Sequence, residues 1–385
     1  MQPIVEKLQA LMEKHGWQER FQEAIKEAQS QDVYGIEHIQ NLEDYLAYLD
    51  YLVTWAPGQP ARIVPARGGN ALYDNMVKFY FFLDQKSVKD LQSPIQPGKG
   101  PEKLTPLSEW IVEFANAWGS YLDTLASAKE VETFKNDPTF NWDEYMPPPS
   151  GYLTFNQFFA RHVKPGMRPI TGLCDDHVLV SPADCTFVGW WQISENSKIY
   201  PKPDSKKLTI KGIPWSIHQL LEGSAYADRF KGGIFTHSFL NVFDYHRWHT
   251  PVCGKILESR VIQGQAYLDI NVQPAIVDGR KVNVLNALDG TGYQFVQTRG
   301  LVVIDSPIGL VACLPTGMAQ VSSVVLTAEV GQTLHKGEEL GYFQFGGSDF
   351  VMVFERASNV ELISQKNVHV NQGTWVGSAY PYTVK

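Results

Sequence analysis

The chain has 385 residues, so at roughly 100–200 residues per domain it holds two or three domains and buries a sizeable core. Hydrophobic residues make up 44% and charged residues 19%, which excludes a disordered chain and a small disulfide-bonded scaffold. The net charge of −8 is uneven, because residues 1–150 carry 13 basic and 22 acidic side chains (net −9) and the remainder carries 20 and 19 (net +1). An acidic first half without a basic stripe argues against nucleic-acid binding and against attraction to anionic lipid.

The targeting and cysteine patterns predict a cytoplasmic protein. No stretch of about 18 apolar residues occurs, and the charged N-terminus lacks the apolar core of a signal peptide, so neither a transmembrane segment nor export is expected. The four cysteines form no CxxC pair and no metal-finger spacing, which predicts reduced thiols.

Apolar residues at helical spacing predict a helical N-terminal domain over residues 1–145. The pattern is clearest at 4–12, 39–53, 71–85 and 107–130, and Asn41 and Asp44 are placed as a capping pair. The run MPPPSG at 146–151 predicts a linker, since three prolines exclude helix and sheet interior alike.

Residues 152–385 are predicted to be mostly β. Short β-branched runs such as LVVIDSPIGLVACLP and QVSSVVLTAEV are separated by turn residues, among them a DGR turn at 278–280. Short helices are expected near 155–162 and 215–222. The fold class is therefore α+β, with a helical N-terminal domain followed by a β-rich domain.

Three clusters in the β half carry the residues of a nucleophilic triad: SPADC at 181–185, DYHRWHTPV at 244–252 and FQFGGSDF at 343–350. Each alone has an ordinary explanation as a turn, a structural histidine or a hairpin end. Two histidines three residues apart also suit zinc, but no further ligand pattern accompanies them, and no metal is expected. Ser348 lacks the G-x-S-x-G elbow; instead, Gly346 and Gly347 let its hydroxyl turn back on the carbonyl of Gly347.

These motifs resemble the phosphatidylserine decarboxylase family of pyruvoyl enzymes. The resemblance covers about residues 152–370 and begins with LTFNQFFARHVKPGMRPI at 153–170, followed by SPAD, YHRWH and GGS in the family's order. The acidic helical half, the tryptophan of YHRWH and the FGGS form look closest to the soluble branch, typified by fungal tryptophan decarboxylases. The resemblance implies a decarboxylase-like β domain that cleaves itself.

The resemblance also implies a role for each motif residue. Asp184 would orient His249, and His249 would deprotonate Ser348 for attack on the Gly347 carbonyl. The chain would then split between 347 and 348, leaving a covalent pyruvoyl group, derived from Ser348, on a 38-residue fragment (348–385). That cofactor forms a Schiff base with a substrate amine. His246 would donate a proton in the decarboxylation step; a structural hydrogen bond is the alternative explanation.

Two departures from the family pattern bear on the site. Cys185 replaces the glycine after SPAD and can change the turn that aims Asp184. Asp349 follows the serine, where it would either favour a cationic amine or face solvent. Asp349 and Trp248 are the candidates for substrate contact.

The expected function is decarboxylation of a free aromatic L-amino acid to its amine and CO2, so the expected partner is a small molecule; a homo-oligomer is left open. The alternative substrate is phosphatidylserine, giving phosphatidylethanolamine. An alternative of another class is an uncleaved β-rich binding or carrier module, because VGQTLHKGEELGYFQFGG resembles half of a biotinyl or lipoyl carrier domain. No lysine stands at a carrier-type turn in that segment, which disfavours it.

Overall fold

The computed structural model describes residues 1–59, 71–95, 103–200, 215–277, 279–287, 296–317, 323–345 and 348–382. Helices occupy the first third and strands most of the rest, which confirms the predicted α+β class. The α-helices of the described residues are α1 (Pro3–His15), α2 (Gln18–Gln29), α3 (Leu42–Leu52), α4 (Ala71–Leu83), α5 (Lys86–Lys89), α6 (Pro106–Leu122), α7 (Phe155–Phe159) and α8 (Ile217–Leu220). None of them has the length and apolar character that crossing a bilayer requires.

Local sequence explains where several helices begin and end. The predicted capping pair is present at α3, where Asn41 Oδ1 accepts the Asp44 amide at 3.0 Å. Helix α6 ends at Leu122, although its apolar pattern predicted a helix as far as residue 130. The Ser127 hydroxyl lies 2.9 Å from the Leu122 carbonyl oxygen and satisfies a group that the helix end leaves open. The chain then continues as a tighter 3-10 helix over Leu125–Asn136.

The strands of the described residues, in chain order, are β1 (Tyr145–Met146), β2 (His162–Val163), β3 (Val178–Val180), β4 (Cys185–Ile193), β5 (Ile199–Tyr200), β6 (Ile234–Leu240), β7 (Arg247–His249), β8 (Gly254–Ile262), β9 (Ile270–Val277), β10 (Arg280–Ala287), β11 (Arg299–Ser306), β12 (Gly309–Gly317), β13 (Val324–Leu326), β14 (Thr333–Leu334), β15 (Glu339–Phe343), β16 (Ser348–Phe354), β17 (Val360–Leu362), β18 (His369–Val370) and β19 (Trp375–Ala379).

One antiparallel sheet dominates the β half. Its order is β14-β8-β11-β12-β16-β6-β4-β18, with β5 paired to β4, so β16 lies in the interior between β12 and β6. Two three-stranded sheets adjoin it, β13-β15-β7 and β17-β19-β3. Strands β9 and β10 form the hairpin expected around the DGR turn, of which Asp278 lies outside the described residues.

The helices and the β half share one hydrophobic core. The β9–β10 hairpin reaches onto the helical region, where Tyr73 of α4 donates its hydroxyl proton to Asn286 Oδ1 at 3.1 Å. Strands β1 and β2 pair across the proline run, so Met146, the first residue of the predicted linker, is opposite His162. The division into 1–145, 146–151 and 152–385 stays a prediction.

Strand β16 contributes to two cores, because alternate side chains leave opposite faces of a sheet. Phe350, Met352 and Phe354 belong to the core shared with the helices. Val351 and Val353 belong to a second core on the other face. From Phe350 onward, β16 therefore packs against a hydrophobic core on each face of the sheet.

Candidate active site

The predicted cleavage site directly precedes β16, an interior strand of the large sheet. Ser348 is the first residue of β16, and its backbone is opposite Gly317 of β12 and Leu240 of β6. Gly346 and Gly347 lie outside the described residues. Because β16 pairs on both sides, cleavage before Ser348 would leave the new N-terminus fixed between two strands.

Asp184, the predicted orienting carboxylate, is bound by Arg168. Arg168 Nε donates to Asp184 Oδ1 at 2.8 Å and Nη2 donates to Oδ2 at 2.6 Å, while the Gln372 amide donates to Oδ1 at 2.8 Å. Both charged side chains are only 4% exposed. Burial opposes the charge on Arg168, but the hydrogen bonds to Asp184 raise its pKa overall. In the part of the chain that the structure describes, His249 is not among the hydrogen-bond partners of this carboxylate.

The turn that carries Asp184 is closed by its neighbours. The Ser181 hydroxyl donates to the Ala183 carbonyl oxygen at 2.7 Å and lies 3.4 Å from Cys185 Sγ. Cys185, the departure from the family pattern, is buried and begins β4. The thiol therefore takes part in the turn without displacing Asp184 from Arg168.

His249 has a defined proton arrangement. Its Nδ1 lies 2.8 Å from the Gly337 carbonyl oxygen, which can only accept, so Nδ1 carries the proton and Nε2 is the acceptor. The Tyr245 hydroxyl, 3.1 Å from Nε2, is then the donor. Burial lowers the pKa of His249, which keeps the ring neutral and suited to accept a proton.

Asp184 reaches His249 through intermediates. The Arg168 guanidinium carbon lies 6.0 Å from the centre of the Tyr245 ring, and the Tyr245 hydroxyl bonds His249. The predicted effect of Asp184 on the orientation of the His249 ring would therefore be transmitted by Arg168 and Tyr245.

His246 is fully buried, and neither of its ring nitrogens has a hydrogen-bond partner among the described residues. Its ring lies 3.9 Å from that of Phe159, which in turn is 6.1 Å from the ring of Phe345, three residues before Ser348. Burial lowers the pKa of His246 well below its usual range, the nearby Arg161 charge adds to the effect, and the Asp244 backbone opposes it only in part. A neutral imidazole without a hydrogen-bond partner among the described residues therefore contacts Phe159, whose ring is in turn near that of Phe345.

The two candidate substrate contacts lie on different sides of the sheet. Trp248 is fully buried, with its ring 5.5 Å from Phe343 and 6.3 Å from Phe350, and its Nε1 has no partner among the described residues. Asp349 is 1% exposed; its Oδ1 lies 2.5 Å from His237 Nε2, and its Oδ2 has no partner in the described part. Asp349 shares its face of β16 with the second core, whereas Trp248 belongs to the core shared with the helices.

Sequence reasoning missed several residues that shape this region. Arg168 and Tyr245 stand inside quoted motifs, yet no spacing rule shows which side chain each one contacts. Asn156 accepts the backbone amide of Phe345, and Trp118 of α6 places its ring 4.7 Å from that of Phe345. These two contacts join residues about 190 and 230 positions apart, a separation at which a single sequence carries no signal.

Metal and disulfide chemistry find no support in the described residues. No group of three or more His, Cys, Asp or Glu side chains there is placed to hold a metal ion. All four cysteines are free, with Cys185 and Cys313 buried and Cys174 exposed.

Comparison with known proteins identifies the family. The family model described as phosphatidylserine decarboxylase matches residues 155–378. The chain is 36% identical over 238 residues to "phosphatidylserine decarboxylase proenzyme 3" of Schizosaccharomyces pombe, covering 62% of this chain and 22% of that protein. It is 30% identical over 281 residues to "phosphatidylserine decarboxylase proenzyme 2" of Oryza sativa, covering 71% of this chain and 41% of that protein.

A third relative is similar over most of its own length. "Decarboxylase iboD" of Amanita muscaria is 31% identical over 268 residues, covering 62% of this chain and 74% of that protein. The chain thus spans less than half the length of the yeast and rice proteins but about three quarters of the mushroom protein. The match over 155–378 contains every candidate site residue, and the chain belongs to the phosphatidylserine decarboxylase family.

Proposed function

We propose that this chain is a self-processing, pyruvoyl-dependent decarboxylase. Members of its family are carboxy-lyases whose proenzymes form a covalent pyruvoyl group by self-cleavage at a serine. The observation that carries the proposal here is His246, which is fully buried and whose ring nitrogens have no hydrogen-bond partner among the described residues. An orphaned imidazole in a protein core is costly unless a reacting group uses it.

The described residues fit a pyruvoyl group at position 348. Such a group supplies an electrophilic carbonyl that binds a substrate amine and accepts the electron pair released with CO2. Position 348 begins an interior strand, and the ring of His246 lies 3.9 Å from that of Phe159, which is 6.1 Å from the ring of Phe345.

His249 is proposed as the base for self-cleavage. The bond from Nδ1 to Gly337 presents Nε2 as the proton acceptor, and burial keeps the ring neutral. The proton would pass from the Ser348 hydroxyl to His249 Nε2 as the serine oxygen bonds to the Gly347 carbonyl carbon, and the Gly347–Ser348 C–N bond would then break, its nitrogen taking the proton, to leave an ester. Loss of the Ser348 α-proton and of the Gly347 carboxylate would split the chain and leave a dehydroalanine, which water converts to the pyruvoyl group with release of ammonia. The Tyr245 hydroxyl, which now donates to Nε2, would have to yield that position.

Asp184 is proposed to position His249 indirectly, through Arg168 and Tyr245. Its carboxylate fixes Arg168, and Arg168 lies against the ring of Tyr245, whose hydroxyl bonds His249. Loss of the carboxylate would leave Arg168 held by Glu144 on one side only and would loosen Tyr245. His249 would then lose its fixed orientation.

His246 is proposed to act in decarboxylation. Since burial keeps its ring neutral, one nitrogen carries a proton that it can deliver to the substrate carbon that loses CO2. Phe159 covers one side of the ring at 3.9 Å and keeps it from turning towards solvent.

The proposed substrate is a free aromatic L-amino acid. Support comes from the mushroom relative named as a decarboxylase, from the net charge of −9 over residues 1–150, and from the ring of Trp118 against Phe345. An acidic surface is repelled by anionic lipid headgroups, each basic residue near such a surface being worth about 1 kcal/mol. Phosphatidylserine is the second candidate, favoured by the names of the yeast and rice relatives.

One set of assays tests these proposals. Intact mass should show a fragment starting at position 348, and CO2 should be released from tryptophan, phenylalanine or tyrosine in detergent-free buffer. Methionine and phosphatidylserine vesicles are the comparison substrates. Decarboxylation of phosphatidylserine in the vesicles, without turnover of any free amino acid, would show that the lipid is the substrate. A chain that migrates intact and releases no CO2 would select the uncleaved binding module.

A further inference from the structure

A buried side chain, Asn156 of α7, links Phe345 to the helical region. Asn156 is 3% exposed, and its Oδ1 accepts the backbone amide of Phe345 at 3.2 Å. Its Nδ2 donates to Asp123 Oδ1 at 2.9 Å and to the Gly119 carbonyl oxygen at 3.2 Å. All three hydrogen bonds are used for attachment, so the amide group is fixed in orientation.

Aromatic contacts reinforce the same attachment. The ring of Trp118 in α6 lies 4.7 Å from that of Phe345, and the ring of Phe155 lies 5.7 Å from it. Gln344 Nε2 also lies 3.5 Å from Asp123 Oδ1. Phe345 is therefore held by both its backbone and its side chain.

This attachment lies directly before the predicted cleavage site. Between Phe345 and Ser348 stand two glycines, the residues with the greatest backbone freedom. On the far side, β16 is fixed by pairing with β12 and β6. A reaction between neighbouring groups of a chain is faster when the residues on either side are fixed, because less conformational entropy is lost on reaching the reactive geometry.

We propose that Asn156 and Asp123 are positioning residues for self-cleavage: they fix Phe345, three residues before the serine whose hydroxyl attacks the chain. This inference rests on the proposed self-processing function. Asp123 lies outside the stretch matched by the family model, 155–378, so the helical region of this chain supplies part of the attachment.

The main test replaces Asn156 by Asp in the full-length chain. Asn156→Asp keeps the acceptor for the Phe345 amide but removes both donors and faces the Asp123 carboxylate with a like charge. Appearance of the 38-residue fragment in a cell-free synthesis time course should slow by roughly tenfold or more, the scale of one lost hydrogen bond to a buried group.

An exchange variant and a matched control distinguish positioning from general damage. When Asn156→Asp is combined with Asp123→Asn, the amide introduced at position 123 can donate to the carboxylate introduced at position 156. That carboxylate still accepts from the Phe345 amide, so cleavage should recover in large part. Gln157→Glu makes the same chemical change at the exposed neighbouring position, where the side chain still accepts the Leu153 amide, and should cleave like the wild type.

A second variant guards against misfolding. Asp123→Ala changes an exposed turn residue and leaves one Asn156 donor unpaired, so an intermediate slowing is expected. Melting temperatures are compared in the uncleavable Ser348→Ala background, and the midpoint of the pH–rate profile should not move, because His249 is untouched.

The possible outcomes distinguish failure of the proposed function from failure of the positioning role. A wild type that never cleaves refutes the proposed function itself. A wild type that cleaves, together with an Asn156→Asp variant that cleaves at the same rate, refutes only the positioning role. A third outcome is that Asn156→Asp cleaves slowly, that the exchange variant cleaves no faster, and that both variants show the same fall in melting temperature. That result shows a purely structural role and also overturns the inference.

Discussion

Asp184→Asn should destabilise the fold as well as slow self-cleavage, because the carboxylate neutralises a buried guanidinium. Both side chains of the Asp184–Arg168 pair are 4% exposed. Breaking a buried pair by removing one partner costs about 3–5 kcal/mol, since the other charge stays buried. Here the lower end applies, because Glu144 still accepts from Arg168 Nη1 at 2.8 Å and the Asn oxygen can accept one bond.

The measurement is the free energy of unfolding from denaturant titration, made in the Ser348→Ala background so that both chains stay intact. A loss of about 3 kcal/mol is expected, and a domain stable by roughly 5–15 kcal/mol remains folded. The matched control is Glu113→Gln, the same carboxylate-to-amide change in an exposed pair with Lys7, where less than about 1 kcal/mol should be lost.

Cleavage is measured in the same substitution with Ser348 restored. It should slow by less than the roughly 10⁴-fold seen when an Asp directly orients a catalytic histidine, because Asp184 reaches His249 only through Arg168 and Tyr245. An unfolding free energy equal to that of the Glu113→Gln control would refute the buried-pair argument. Unchanged cleavage would refute the positioning of His249 through Arg168.

Three further expectations concern the reacting residues themselves. Ser348→Ala should stay folded and uncleaved by intact mass and should release no CO2, because the hydroxyl is both the nucleophile and the precursor of the cofactor. A 38-residue fragment in this variant would contradict the pyruvoyl proposal. His249→Ala should block cleavage, whereas His246→Ala should cleave but release little CO2; the opposite pattern would exchange their roles. Burial lowers the pKa of His249, so the ring is in its neutral base form at neutral pH. The cleavage rate should therefore be level above pH 7 and fall in acidic buffer; a rate still rising between pH 7 and 8 would exclude His249 as the base.

The parts of the fold that were predicted depend on contacts close in sequence. Helical spacing located α1, α3 and α4, and the Asn41 cap is a bond between residues three apart. The early end of α6 was missed because it depends on a distant contact: the Ser127 hydroxyl that satisfies the helix end also accepts the Phe155 amide at 2.9 Å. The placing of β16 between β12 and β6 joins segments more than 100 residues apart along the chain on one side, which no local pattern encodes.

The candidate site shows the same division. The motif residues came from a resemblance that names positions, and in the structure Phe159 is near both His246 and Phe345. The partners of these residues were not predictable. Arg168 rather than His249 binds Asp184, and Tyr245 rather than a carboxylate bonds the acceptor nitrogen of His249. Partner choice depends on which side chains the fold brings together in the core, and a single sequence does not specify those pairings.

The short strand β7 explains how two histidines three residues apart can serve different steps. His246 directly precedes β7 and Trp248 is its middle residue, and both are fully buried. Side chains alternate along a strand, so Arg247 and His249 lie on the side opposite Trp248, where Arg247 pairs with Glu339 at 2.7 Å and His249 bonds Gly337 and Tyr245. The strand therefore separates a polar, hydrogen-bonded imidazole of fixed tautomer from an imidazole in apolar surroundings. Among the described residues the two rings share no hydrogen-bond partner. The effects of His246→Ala and His249→Ala on the free energy of unfolding should therefore add in the double variant.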